Sequence, residues 1–147
     1  MILRDNDMPT GRLYAYDGKV TIDEHLSGQI KPAFVLPNLI VTVGKTYILE
    51  NSPADIDEVK LGDGATARTV IMTDIVNELF SAAPTDARVT GTKRITELFV
   101  GVSEANFTHR EIGIFANSTL ISTLVITPEF EKTTAKTRTY IHELGWL

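Results

Sequence analysis

The chain has 147 residues, no cysteine and a formal net charge of −5. That length suits one domain burying roughly 68–70% of its unfolded surface without covalent staples. The missing thiols exclude disulfides, thiol catalysis and thiolate metal sites together, and the acidic balance argues against a surface that neutralises phosphates. No stretch approaches bilayer-spanning length, and Met1-Ile2-Leu3-Arg4-Asp5 lacks the apolar run of a secretory leader. A soluble protein made in a cytoplasm is expected.

Residues 1–37 hold three of the six prolines, Pro9, Pro32 and Pro37, with Gly11, Gly18 and Gly28 between them. Such punctuation interrupts regular elements and predicts an extended arm lying on another surface, its own or a neighbour's. Within it, Asp17-Gly18 is a strong hairpin signal between short strands over 13–16 and 19–22. Pro37-Asn38 then opens a helix. Asn38 can cap it by accepting a free amide, and Leu39, Ile40, Val43, Tyr47 and Ile48 share one helical face. Gly44 costs such a helix about 1 kcal/mol relative to alanine, so a close approach by another backbone is expected there. The helix should end near Asn51-Ser52-Pro53.

A short strand over 58–61, the turn Gly62-Asp63-Gly64 and a loop rich in Thr and Ala follow. A second helix is expected next, capped by Thr73, with Asp74 at the positive end of its dipole. Ile75 with Leu79 and Val76 with Phe80 make its i,i+4 pairs. From Ala87 onward the pattern is β. Leu98, Val100 and Val102 alternate against Phe99, and Ile112 and Ile114 against Phe115. Residues 120–127 are apolar on both faces, which suits a central strand. Residues 137–146 form a last strand with Tyr140 and Trp146 on one side, and turns are expected at Asn117-Ser118 and across 128–135. The fold class is α+β, mainly β: an antiparallel sheet or sandwich with two short helices, built as an extended N-terminal arm over 1–37 and one compact domain over 38–147.

Few residues invite chemistry. Val43-Gly44-Lys45-Thr46 ends like a phosphate-binding loop, but Leu39 stands where the first glycine is needed. Asp55, Asp57 and Asp63 miss the calcium-loop spacing, because Val59 and Lys60 fill its fifth and sixth positions; Asp63 between two glycines is a turn residue. His25, His109 and His142 have no partner at helical metal-ligand spacing. His109 with Glu111 could support acid–base chemistry, whereas His142 and Glu143 point to opposite faces of a strand. No Gly-x-Ser-x-Gly turn presents a serine nucleophile. Trp146, Tyr140, Phe130 and Phe115 could form a sugar-binding platform, although aromatics in a β domain more often fill its core. Asn106 and Asn117 head glycosylation sequons, which matter only in a secreted eukaryotic protein.

Glu111 opens an otherwise apolar strand that Gly113 interrupts. A buried carboxylate needs donors, since an unpaired buried charge costs several kcal/mol. Arg94, Arg110 and the backbone amides of the 62–64 turn are the candidates, and the expected role is an internal strut. No catalytic residue, cofactor site or metal ligand is expected.

Four landmarks occur in series: Asn38-Leu39-Ile40-Val41-Thr42-Val43-Gly44 after the Asp17-Gly18 signal, Leu61-Gly62-Asp63-Gly64-Ala65-Thr66-Ala67-Arg68, Phe107-Thr108-His109-Arg110-Glu111-Ile112-Gly113-Ile114-Phe115, and Trp146. The series resembles segments of tailed-bacteriophage tail-fibre, collar and related virion structural proteins. Their patterns are Asn-Leu-Ile/Val-x-x-x-Gly, Val-Gly-x-Gly-Thr-x-x-Pro and Phe-x-Ile-x-Glu-Ile-Gly-Leu-Phe, with a tryptophan in the terminal strand. Ala65, Arg68 and His109 depart from the usual Thr, Pro and Ile. The similarity covers most of residues 12–147.

The resemblance implies a virion component with no catalytic residues to transfer. It would assemble in the host bacterial cytoplasm, in multiple copies, with other virion proteins. One domain's length fits a tail, collar or baseplate adaptor for fibre attachment; the alternatives are a capsid decoration protein and a carbohydrate-binding module that recognises a host glycan. The structural and interaction candidates are Asn38, Gly44, Gly62, Asp63, Gly64, Glu111, Gly113 and Trp146. Neither nucleic acid nor a membrane is an expected partner.

Overall fold

A computed structural model describes residues 16–26, 29–30, 34–50, 56–91 and 93–146. The described elements run β1 (Tyr16–Leu26), β2 (Gln29–Ile30), β3 (Phe34–Pro37), β4 (Leu39–Ile40), α1 (Thr42–Glu50), β5 (Glu58–Gly62), β6 (Glu78–Ala82), β7 (Asp86–Thr90), β8 (Lys93–Val100), β9 (Thr108–Ala116), β10 (Thr119–Glu131) and β11 (Lys136–Trp146). They form two antiparallel sheets. The first has the order β2-β1-β11-β8-β7, with β3 also paired to β1; the second has the order β4-β10-β9-β5-β6. The mainly β class read from the alternating pattern is the one observed, with one short helix among the described residues.

The two sheets enclose a shared core. Alternate residues of a strand face the same side, so β1 contributes Val20 and Ile22, β8 Leu98 and Val100, and β11 Tyr140 and Leu144. Val59 and Leu61 of β5, Ile112 and Ile114 of β9, and Leu124 and Ile126 of β10 meet them from the second sheet. Each such aliphatic side chain contributes about 1.5–3 kcal/mol by leaving water. Phe115 points the other way, as its alternation predicts, into a smaller cluster with Val41 and Leu120. The β9–β10 hairpin turns at Asn117 and Ser118, whose φ values of 49° and 67° suit the left-handed geometry that two-residue hairpins require.

Several expectations need correction. Of the arm expected over 1–37, the described residues 16–26, 29–30 and 34–37 are sheet: β1 pairs along its whole length with β11, from Tyr16↔Trp146 to Leu26↔Lys136. Asp17-Gly18 is therefore not a turn; Asp17 faces Gly145 and Gly18 faces Leu144. Burial decides this, because Val20 and Ile22 are 0% and 1% exposed and reach the core only from an unbroken strand. Of the strand expected over 13–16, residues 13–15 lie outside the described residues and Tyr16 begins β1.

The first helix begins at Thr42, not after Asn38, because residues 39–40 pair instead with Thr123 and Ser122 of β10. Its first amide is satisfied by the Val70 carbonyl at 2.7 Å, not by an Asn38 side chain. The second helix is absent: Glu78–Ala82 forms β6 against β5, with Phe80 opposite Leu61. A helix would place Ile75 and Leu79 on one face, yet Ile75 is buried and Leu79 is 50% exposed. Val102 lies beyond the end of β8 and is exposed. β10 continues through Pro128 to Glu131, so the turn before β11 is shorter than 128–135 and is closed by the Lys136 amide on the Thr133 carbonyl at 3.1 Å.

Candidate functional site

The two sequence landmarks meet in space. β5 and β9 pair so that Gly62 lies directly opposite Glu111. The Glu111 side chain is fully buried on the outer face of the second sheet, beneath the 63–77 loop. Its Oε2 accepts the amides of Gly64 at 2.8 Å and Asn77 at 2.7 Å, and its Oε1 accepts the Val76 amide at 2.7 Å and Arg68 Nη2 at 2.6 Å. The carboxylate thus binds both ends of the loop and its middle. Charge-assisted bonds of this kind are about twice as strong as neutral ones. The donor expected from the 62–64 turn is the Gly64 amide. The guanidinium is that of Arg68, not Arg94 or Arg110, and the amides of Val76 and Asn77 were not anticipated.

This carboxylate explains both glycines of the turn. A Cβ on Gly62 would overlap the Asn77 carbonyl oxygen and stand 2.6 Å from Glu111 Oε2; one on Gly64 would also stand 2.6 Å from Oε2. Asp63 works from the loop's edge, where its Oδ1 accepts Asn77 Nδ2 at 2.5 Å. Gly113, two residues beyond Glu111 on the same face, makes room for Ile75, whose Cγ2 would lie 2.6 Å from an added Cβ. Lys60 ties the loop further through Asp74 at 3.3 Å and β6 through Glu78 at 3.1 Å, and lies over the Phe115 ring at 4.4 Å from its centroid. Held this way, the loop displays Val70 at 46% and Ile71 at 79% exposure.

Gly44 carries the close approach expected of it: α1 crosses the β10 backbone there, and a Cβ would overlap Ile121 O and stand 2.6 Å from its Cα. That contact, and the helical location of Lys45 and Thr46, leave no phosphate-binding loop at residues 43–46. Asn38 bridges the sheets instead of capping α1. Its Nδ2 lies 2.7 Å from Ser122 Oγ and 3.0 Å from His142 Nε2. Ser122 Oγ and His142 Nε2 are 3.1 Å apart, a nucleophile–base separation. Both residues are buried, however, and His142 Nδ1 has no partner to orient the ring, as a working base requires. Burial holds the His142 imidazole down at about 4, so it is neutral at physiological pH.

His109 belongs to a different network from Glu111. Its Nε2 donates to the Ala105 carbonyl at 2.8 Å, leaving Nδ1 to accept from Arg138 at 2.8 Å and Tyr140 OH at 2.5 Å. Arg138, itself fully buried, also pairs with Glu24. Burial pulls His109 down to about 4, and Arg138 beside it acts in the same direction. Burial likewise pushes the Tyr140 hydroxyl up to about 12. Neighbouring Lys132 is buried too, donating to the Glu104 carbonyl at 2.9 Å and Asn106 Oδ1 at 2.8 Å. Sequence reasoning missed this cluster because its members lie up to 114 positions apart.

The remaining candidates separate. Tyr140 and Phe115 are buried in different clusters, so they form no shared surface for a sugar. Trp146 ends β11 opposite Tyr16, and its side chain, like that of Phe130, lies outside the described residues. Asp57 accepts the Asn117 amide at 3.2 Å, Asp55 is outside the described residues, and no cluster of acidic, histidine or cysteine side chains suited to a metal occurs among those described. A shallow depression of about 370 Å³ beside Asn38, Arg68 and Thr123 has neither a carboxylate nor an imidazole on its wall. No protein-family model matches the chain, and neither a curated protein nor a solved structure does so.

Proposed function

We propose that this chain is a non-enzymatic structural component of a tailed-phage virion, an adaptor at the tail, collar or baseplate that assembles in multiple copies. The observation that carries this reading is the Glu111 strut. The one acidic residue in the most distinctive strand spends both carboxylate oxygens on four structural donors, which leaves neither oxygen for a substrate. The same bonds join the Gly-x-Gly and Glu-Ile-Gly-x-Phe segments on which the resemblance to virion proteins rests. Their joint product is a pinned loop with an aliphatic tip, suited to packing against another surface. The burial of Tyr140 and Phe115 weighs against a sugar-binding platform. Mass spectrometry and electron microscopy of purified particles from the producing host test the proposal. The chain should appear at a stoichiometry set by particle symmetry; its absence from intact virions would end the idea.

A further inference from the structure

β7 is the outermost strand of the first sheet, and all five of its residues are exposed. Ala87 lies opposite the buried Thr96 and so faces the core side. Yet Ala87 is exposed and Val89 is 64% exposed, so the second sheet does not extend over this edge. Among the described residues no strand pairs with the outer side of β7. Proteins usually guard such an edge with proline, a bulge or charges that repel a copy of themselves. β7 has no proline, and its pairing with β8 runs without a bulge from Asp86↔Glu97 to Thr90↔Lys93.

Its charges are of opposite sign, two residues apart on one face: Asp86 and Arg88. Consider two copies meeting edge to edge about a two-fold axis through Ala87. Antiparallel pairing then sets Asp86 of each opposite Arg88 of the other, and Thr85 opposite Val89. Moving the axis to Arg88 would set arginine against arginine, which is unfavourable for directly opposed residues. Charge therefore selects one register. Arg88 is already extended over the strand by Glu97 at 2.6 Å, and it also reaches Asp86 of its own chain at 2.6 Å. Pairing would exchange that local acid for the same acid on the second copy.

We propose that β7 is a self-complementary edge through which two copies join their first sheets into one continuous antiparallel sheet. This rests on the assembly reading above and names its partner surface. Such an interface is isologous, so each charge pair occurs twice, and the backbone ladder supplies affinity while side chains supply register.

Sedimentation velocity on the full chain is the test, with Val89→Lys, Asp86→Arg and Arg88→Asp as single variants and Asp86→Arg/Arg88→Asp as the double variant. Circular dichroism should show all of them folded, since the altered side chains are exposed. The wild type should dimerise, and each single variant should dissociate with a Kd about tenfold or more weaker. The double variant should regain the dimer. An equimolar mixture of the Asp86→Arg and Arg88→Asp chains should also dimerise, because each then faces opposite charge. A monomeric wild type, or a dimer indifferent to all four changes, overturns the β7 interface. Detection of the chain in virions in that case would leave the proposed function standing without this surface.

Discussion

Replacing Glu111 by alanine removes the buried acceptor of four part-buried bonds. Two costs follow. Arg68, whose side chain is 6% exposed, loses its counter-ion, and breaking a buried pair from one side costs about 3–5 kcal/mol. The amides of Gly64, Val76 and Asn77 lose their acceptor, and each buried donor left unmet costs about 1–3 kcal/mol. These terms do not add, because a loop freed at one point can hydrate the others. A net loss of about 4–6 kcal/mol is expected, a large share of the roughly 5–15 kcal/mol available to a domain. Glu111→Gln keeps the shape and one acceptor oxygen but also removes the charge opposite Arg68 and turns an NH2 towards donors, and should lose about 3–5 kcal/mol.

Urea unfolding at pH 7.5, followed by far-ultraviolet circular dichroism, measures these losses. Hydrogen exchange on the same variants localises them: the amides of Gly64, Val76 and Asn77 should lose protection before those of β8 and β11. A cycle pairing Arg68→Met with Glu111→Gln should show a coupling of about 2 kcal/mol. If Glu111→Ala costs less than about 1 kcal/mol and the three amides remain protected, the strut does not hold the loop and the reasoning fails.

The two buried histidines make stability depend on pH. In the folded chain both stay neutral down to about 4, while unfolded histidine takes a proton near 6.5. Their contribution is fully present above about 6.5, falls by about 1.4 kcal/mol per pH unit per histidine as the medium is acidified, and levels off near 4, where the folded protein also protonates, after a loss of about 3 kcal/mol each. Urea midpoints between pH 7 and 4.5 should show the slope, and His142→Gln should reduce it; a flat profile would refute the neutral buried imidazoles. Gly44→Ala improves helix propensity by about 1 kcal/mol but drives a methyl into the Ile121 backbone, so the melting temperature should fall, with a net loss of about 1–3 kcal/mol. Gly113→Ala meets side-chain atoms of Ile75, Phe115 and Leu120 and no backbone atom among its nearest neighbours, and should cost less than Gly44→Ala under the same thermal scan.

Alternation along the chain was enough to place β8, β9 and β11, to separate Ile112 and Ile114 from Phe115, and to call for the Asn117-Ser118 turn. These features depend on neighbours one or two residues away, which a sequence displays directly. A glycine inside α1 implied a close backbone, and a carboxylate heading an apolar strand implied donors; the residue type alone carried each demand. What supplies each demand was decided in three dimensions. Arg68 and the amides of Val76 and Asn77 reach Glu111 from 34 to 43 positions away. Where a second helix was expected, residues 78–82 pair with β5, a partner distant in sequence. Asp17-Gly18 has the local chemistry of a turn, but eleven cross-strand pairs with β11 and the burial of Val20 and Ile22 outweigh a two-residue preference. Local pattern sets which face of a strand is apolar; only the packed sheets determine which distant partner covers it.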